Sequence, residues 1–120
     1  MNKRNINHLA DVIESERWGF DMGDGDHIDA PNNNQHRCGS AGCIGGHATS
    51  EWPNVRRGQS WDHAALRKKL GITRDQHEAL CFPDTREAYY FAIKGGRGHV
   101  TRARAVATLR RLAETGEVKW

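Results

Sequence analysis

The stretch CGSAGCIGGHATS, Cys38 to Ser50, constrains this chain more than any other. It holds two of the three cysteines and four of the thirteen glycines, with a histidine one helical turn past the second cysteine. Ser40 has N-cap chemistry, a hydroxyl able to accept from the free amides of a first turn, so the pattern predicts a helix from Ala41. On that helix Cys43 and His47 stack at i, i+4, and Pro53 stops it after Glu51-Trp52. Gly42, Gly45 and Gly46 each weaken such a helix by about 1 kcal/mol relative to alanine. A fold that keeps them there is one in which another backbone or an aromatic ring approaches too closely for a side chain.

The rest of the chain reads as helical packing with clear punctuation. Ile6, Leu9, Ala10 and Ile13 recur on one face of a predicted helix from Asn5 to Glu16, with Val12 at the border. Residues 54–59 (NVRRGQ) read as a turn. Ser60 then caps a predicted helix from Trp61 to Leu70, closed by Gly71, with Arg67, Lys68 and Lys69 in its last turn. Thr73 and Gln76 spell a capping box for a helix from Arg74 to Cys81, which Phe82-Pro83 ends. Thr101 caps a last helix to Thr115, with Ala105, Val106, Leu109, Leu112 and Ala113 on one face, and Gly116 terminates it. The closing Glu117-Val-Lys-Trp120 is expected to bring the terminal ring back onto the body.

Between these helices lie two less regular segments. Gly23 to Arg37 (GDGDHIDAPNNNQHR) is fifteen residues of loop chemistry, longer than ordinary connections. Trp18–Met22 and Tyr89–Ile93 carry alternating or clustered large apolar residues and leave room for a small two-stranded β element. The predicted architecture is mainly α, a compact single domain of four to five short helices. At 120 residues and 37% hydrophobic residues the core must be lean, and the four tryptophans are expected to carry much of it. The start MNKRNINHLADVIE lacks the apolar core of a signal peptide, and no run reaches the roughly 18 apolar residues of a membrane span. The expectation is a cytoplasmic chain with reduced thiols and no membrane partner.

Three chemistries compete for the polar residues. Cys38, Cys43 and His47 give C-x4-C-x3-H, three soft or borderline ligands of the kind zinc takes, with Cys81 available as a fourth. Buried thiols acting as small hydrophobes are the alternative. A cysteine in a first helical turn also has its thiolate stabilised, with His8, His36, His63 and His77 as bases of unplaced position. The spelling CGSAGC is similar to the CGSC of papain-like proteases but lacks the aromatic that follows, and the chain is too short for that fold. Asp21, Asp24, Asp26 and Asp29 imitate a calcium loop without its closing glutamate, which points to a polar turn.

The third chemistry is a basic surface. Net charge is +3, and thirteen of the eighteen basic residues are arginine. Arg56, Arg57, Arg67, Lys68, Lys69 and Arg74 fall within nineteen residues, and Lys94, Arg97, Arg102, Arg104, Arg110 and Arg111 form a second group. Arg104 and Arg111 share the face of the last helix opposite its apolar stripe. Such groups suit phosphates or an acidic protein patch. The two helices flanking Gly71–Thr73 also resemble a helix-turn-helix in outline. The expected working surface is Arg56, Arg57, Arg67, Lys68, Lys69, Arg97, Arg104 and Arg111, on a non-enzymatic binding module. The alternatives are a zinc-stapled nucleic-acid-binding or regulatory domain and a small enzyme dependent on Cys43 or His47.

The pattern CG-[ST]-x-x-C-I-x-G-H-A, here Cys38 to Ala48, resembles a family of small uncharacterised proteins carried by bacteria and their phages. The likeness extends to Phe20-Asp21-Met22, to Leu80, Phe82 and Pro83, and to the closing TGEVKW. In such sequences the position of His47 also takes aromatics. The resemblance implies no activity. It implies a phage-related accessory protein that binds a host protein or protein–nucleic acid complex, such as an anti-CRISPR inhibitor of a defence system.

Overall fold

The protein is described by a computed structural model. It describes residues 1–16, 20, 43–58, 60–83 and 100–120. These residues form five α-helices, one 3-10 turn and one minimal hairpin. The elements are α1 (Lys3–Glu14), α2 (Ile44–Glu51), the 3-10 turn Pro53–Val55, β1 (Arg56–Arg57), β2 (Ser60–Trp61), α3 (His63–Leu70), α4 (Arg74–Cys81) and α5 (Arg102–Thr115). The mainly α class that the sequence predicts is what forms.

Local chemistry explains where each helix begins. Asn2 caps α1, its side chain accepting from the Asn5 N–H at 3.0 Å, so the helix starts two residues before the predicted Asn5. Helix α2 starts at Ile44, not Ala41. The extended Cys43 is its cap, and Cys43 Sγ accepts from the Gly46 N–H at 3.4 Å. Helix α3 starts at His63, capped by Asp62 (Ala65 N–H to Oδ1, 3.1 Å), where the sequence suggested Ser60. Ser60 is occupied instead in the hairpin: Arg57 pairs with Ser60 and Arg56 with Trp61, antiparallel, with Gly58 at φ 59° in the connecting loop. Among the described residues this hairpin is the β element. The pairing expected between 18–22 and 89–93 lies, Phe20 aside, outside the described residues, as does the 23–37 loop. Helices α4 and α5 begin at the predicted caps, with the Thr73–Gln76 capping box complete in both directions.

Helix α2 is buried all round: Ile44, Gly45, Gly46, His47, Ala48 and Thr49 are all inaccessible. It packs on α1 and on β2. A β carbon at Gly45 would overlap the six-membered ring of Trp61, so at Gly45 the expected close approach is that of an aromatic ring, while Gly42 lies outside the described residues. Helix α1 lies most extensively against α5, joining Ile6, Leu9 and Ile13 to Val106, Leu109 and Leu112 in one core cluster. That cluster is aliphatic for the most part. Trp61 is buried within it, while Trp52 and Trp120 pack at its edge.

Neighbouring elements answer the carbonyls that helix ends leave open. The Ile13 carbonyl of α1 accepts from Arg102 Nη1 at 2.6 Å, and the Lys69 carbonyl of α3 from Asn5 Nδ2 at 2.8 Å. The Asn2 N–H reaches the Leu70 carbonyl at 2.9 Å. Trp120 folds back as expected, its indole N–H donating to the Ala79 carbonyl of α4 at 2.7 Å. No helix among the described residues is long and apolar enough to cross a membrane.

Candidate functional site

Helices α3 and α4 form the site between them. A spacing of four places His63 and Arg67 on one side of α3, and spacings of three and four place Arg74, His77 and Glu78 on one side of α4. Gly71, left-handed at φ 65°, closes α3 with the Gly71 N–H to the Lys68 carbonyl and the Ile72 N–H to the Arg67 carbonyl. The chain turns there, and the two faces meet. They flank an open cleft of about 590 Å³ lined by His63, Arg67, Arg74, His77, Glu78 and Phe82.

The floor of this cavity is aromatic. His63 and His77 meet edge to face with ring centres 5.2 Å apart, and His63 Nδ1 lies 3.4 Å from His77 Nε2. Phe82 sits 5.8 Å from the His63 ring and 6.0 Å from that of His77. Trp61 supports His63 from behind at 5.2 Å and stacks on Phe82 at 6.3 Å. The rim is charged. Arg74 Nε donates to Glu78 Oε1 at 3.1 Å across one helical turn, with the Arg74 side chain 80% exposed. Arg67 faces the same space from α3.

Burial lowers the His77 pKa from 6.5 to about 4, helped by electrostatic interaction with His63 and Arg67 and opposed by Glu78. His77 is therefore a neutral imidazole at physiological pH. The charge in the pocket comes from the two guanidiniums against one carboxylate. Such a chamber suits an anion that also offers a flat or apolar surface.

The predicted basic residues do not form one face. Arg67 lines the pocket, while Arg56, Arg57 and Lys68 are exposed beyond it. Lys69 is half-buried on another side of α3, its Nζ 5.6 Å above the Trp52 ring. On α5, Arg111 is exposed and Arg104 half-buried. Arg102 and Arg110 are turned onto α1, the latter donating to Asp11 at 2.6 Å and Glu14 at 3.3 Å. Arg97 lies outside the described residues. A second cavity of about 550 Å³, between the end of α1 and the first turns of α5, is rimmed by these same α1-bound arginines.

The Cys/His cluster is buried. His47 packs on Phe20 at 5.8 Å and its Nδ1–H donates to the Cys43 carbonyl at 3.0 Å. Cys81 is buried on α4, and Cys38 lies outside the described residues. Among the described residues no group of three His, Cys, Asp or Glu side chains is placed to hold a metal ion. Asp21, Asp24, Asp26 and Asp29 also lie outside them.

The sequence alone marks His63 and His77 only as bases of unplaced position and Phe82 only as a helix stop. The signal was present in the matched spacings of His63/Arg67 and Arg74/His77 on either side of a three-residue turn. Against known families, curated proteins and solved structures, the chain shows no match.

Proposed function

We propose that this protein is a non-enzymatic binding module for a partner with dense negative charge, a nucleic acid or the nucleic-acid-bearing surface of a host complex. The observation that carries this reading is the convergence of Arg67 and Arg74 on one cavity between α3 and α4. Arg56, Arg57, Lys68 and Arg111, all exposed, supply further cations that can strengthen binding without specifying it. The resemblance of the Cys38–Ala48 motif to proteins of bacteria and phages supports a partner in host defence, inhibited by binding.

The test is binding of labelled oligonucleotides across a salt series. Affinity should fall steeply as salt rises, since each phosphate neutralised releases counterions. Arg67→Glu with Arg74→Glu should weaken binding at least about tenfold while the thermal unfolding midpoint stays near that of the parent. Arg104→Glu with Arg111→Glu should weaken it less. Oligonucleotide affinity indifferent to both double reversals, or no affinity at low salt, would overturn the reading.

A further inference from the structure

We infer that the α3–α4 cavity receives one unstacked nucleotide of a single strand, its base on the Phe82–His63 wall and its phosphate between Arg67 and Arg74. The inference rests on the polyanion-binding reading and goes further by naming the form of nucleic acid. Three features point the same way.

The first is composition. The cavity combines aromatic rings with guanidiniums, and single-stranded sites use that pairing because every base has a π face and every nucleotide a phosphate. Its volume of about 590 Å³ lies within the range of small-ligand sites, about 300–1,000 Å³. The second is support. Phe82 and His63 both line the cavity and are braced by Trp61, which is 2% exposed and held under Gly45. The wall is thus backed by the core, so a base would dock on rings already in place.

The third concerns the duplex alternative. A helix-turn-helix would present the outer side of α4 to a major groove. The exposed residues of α4 are Arg74 and Asp75, with Glu78 half-exposed, whereas His77, Ala79, Leu80 and Cys81 are buried. Gln76 is occupied by the capping box and by the Gly116 carbonyl at 2.7 Å. Two carboxylates and one arginine form a poor surface for a phosphate-lined groove. In the cavity, by contrast, Glu78 holds the Arg74 fork, and that exposed bridge is weak enough to yield to a phosphate.

The experiment compares three probes on the intact chain: a single-stranded oligonucleotide, the same sequence as a duplex, and heparin, which is polyanionic but has no bases. The single strand should bind at least about tenfold more tightly than the duplex. Phe82→Leu, which keeps apolar volume but removes the ring face, should erase that preference and leave heparin affinity within about twofold. Should Phe82→Leu fail to fold by circular dichroism, His63→Gln on the half-buried partner ring carries the same expectation. Equal binding of single strand, duplex and heparin would overturn the nucleotide pocket and leave the polyanion reading standing. Failure of all three probes to bind at low salt would remove both. Displacement of the single strand by a phosphorylated peptide at lower concentration than by a mononucleotide would overturn the pocket in favour of a protein partner.

Discussion

Gly45 carries a constraint set by a ring from another element. Its missing side chain is the space in which the Trp61 indole lies. Gly45→Ala should gain about 1 kcal/mol of helix propensity and lose about 1–3 kcal/mol through overpacking. The overlap involves a ring braced by His63 and Phe82, not the end of a flexible chain, so the loss should win. Urea denaturation should show net destabilisation of up to about 2 kcal/mol, and Trp61→Leu in the same chain should shrink the penalty of the alanine. An alanine variant as stable as the parent would show that the ring is free to retreat. The glycines made a close approach legible in the sequence. The identity of the ring is not legible there, because the chain has four tryptophans and local chemistry around Trp61 reads as the start of a helix. At the neighbouring Cys43, serine also caps helices well, so Cys43→Ser should cost only about 1 kcal/mol through lost burial of the thiol. A loss of folding on that change, reversed by added zinc, would instead make the thiolate a metal ligand.

Among the elements, helix ends defined within four residues were readable and those decided by a strand were not. Thr73 with Gln76, Gly71, Thr101 and Gly116 act through their own backbone neighbourhood, and each stands where the sequence placed it. Ser60 and Asp62 are both competent caps two residues apart, and local chemistry does not choose between them. The choice is made by pairing of Arg57 with Ser60 and Arg56 with Trp61, which takes Ser60 into extended backbone and moves the helix start to His63. Asp62→Ala should therefore cost about 0.5–2 kcal/mol of stability by urea denaturation, as an N-cap loss does. An unchanged stability would show that Asp62 is not the cap.

For the whole molecule, the basic surface of the sequence divides by what the fold does with each arginine. Charge density alone does not separate Arg110, whose pKa is raised by its hydrogen bond to Asp11, from Arg67, which faces an open cavity. Only the packing of α5 on α1 and of α4 on α3 makes that distinction, and periodicity within one helix is silent about it. The same packing gives the molecule a pH dependence. Burial of His77, helped by electrostatic interaction with His63 and Arg67 and partly opposed by Glu78, lowers its pKa from 6.5 to about 4. The unfolded chain, with an ordinary imidazole, takes up its proton as pH drops through about 6.5, whereas the folded chain resists until about 4. In that window the unfolded state binds more protons, so stability is complete above 6.5 and declines progressively towards 4. Below the window this group adds no further loss. Thermal unfolding midpoints measured across that range should fall with acidification, and His77→Gln, which cannot protonate, should flatten the slope. Unchanged slopes in the variant would place the acid sensitivity elsewhere. A single-stranded ligand should reduce the slope in the parent, because a phosphate beside Arg67 offsets the positive field that helps keep the folded His77 neutral.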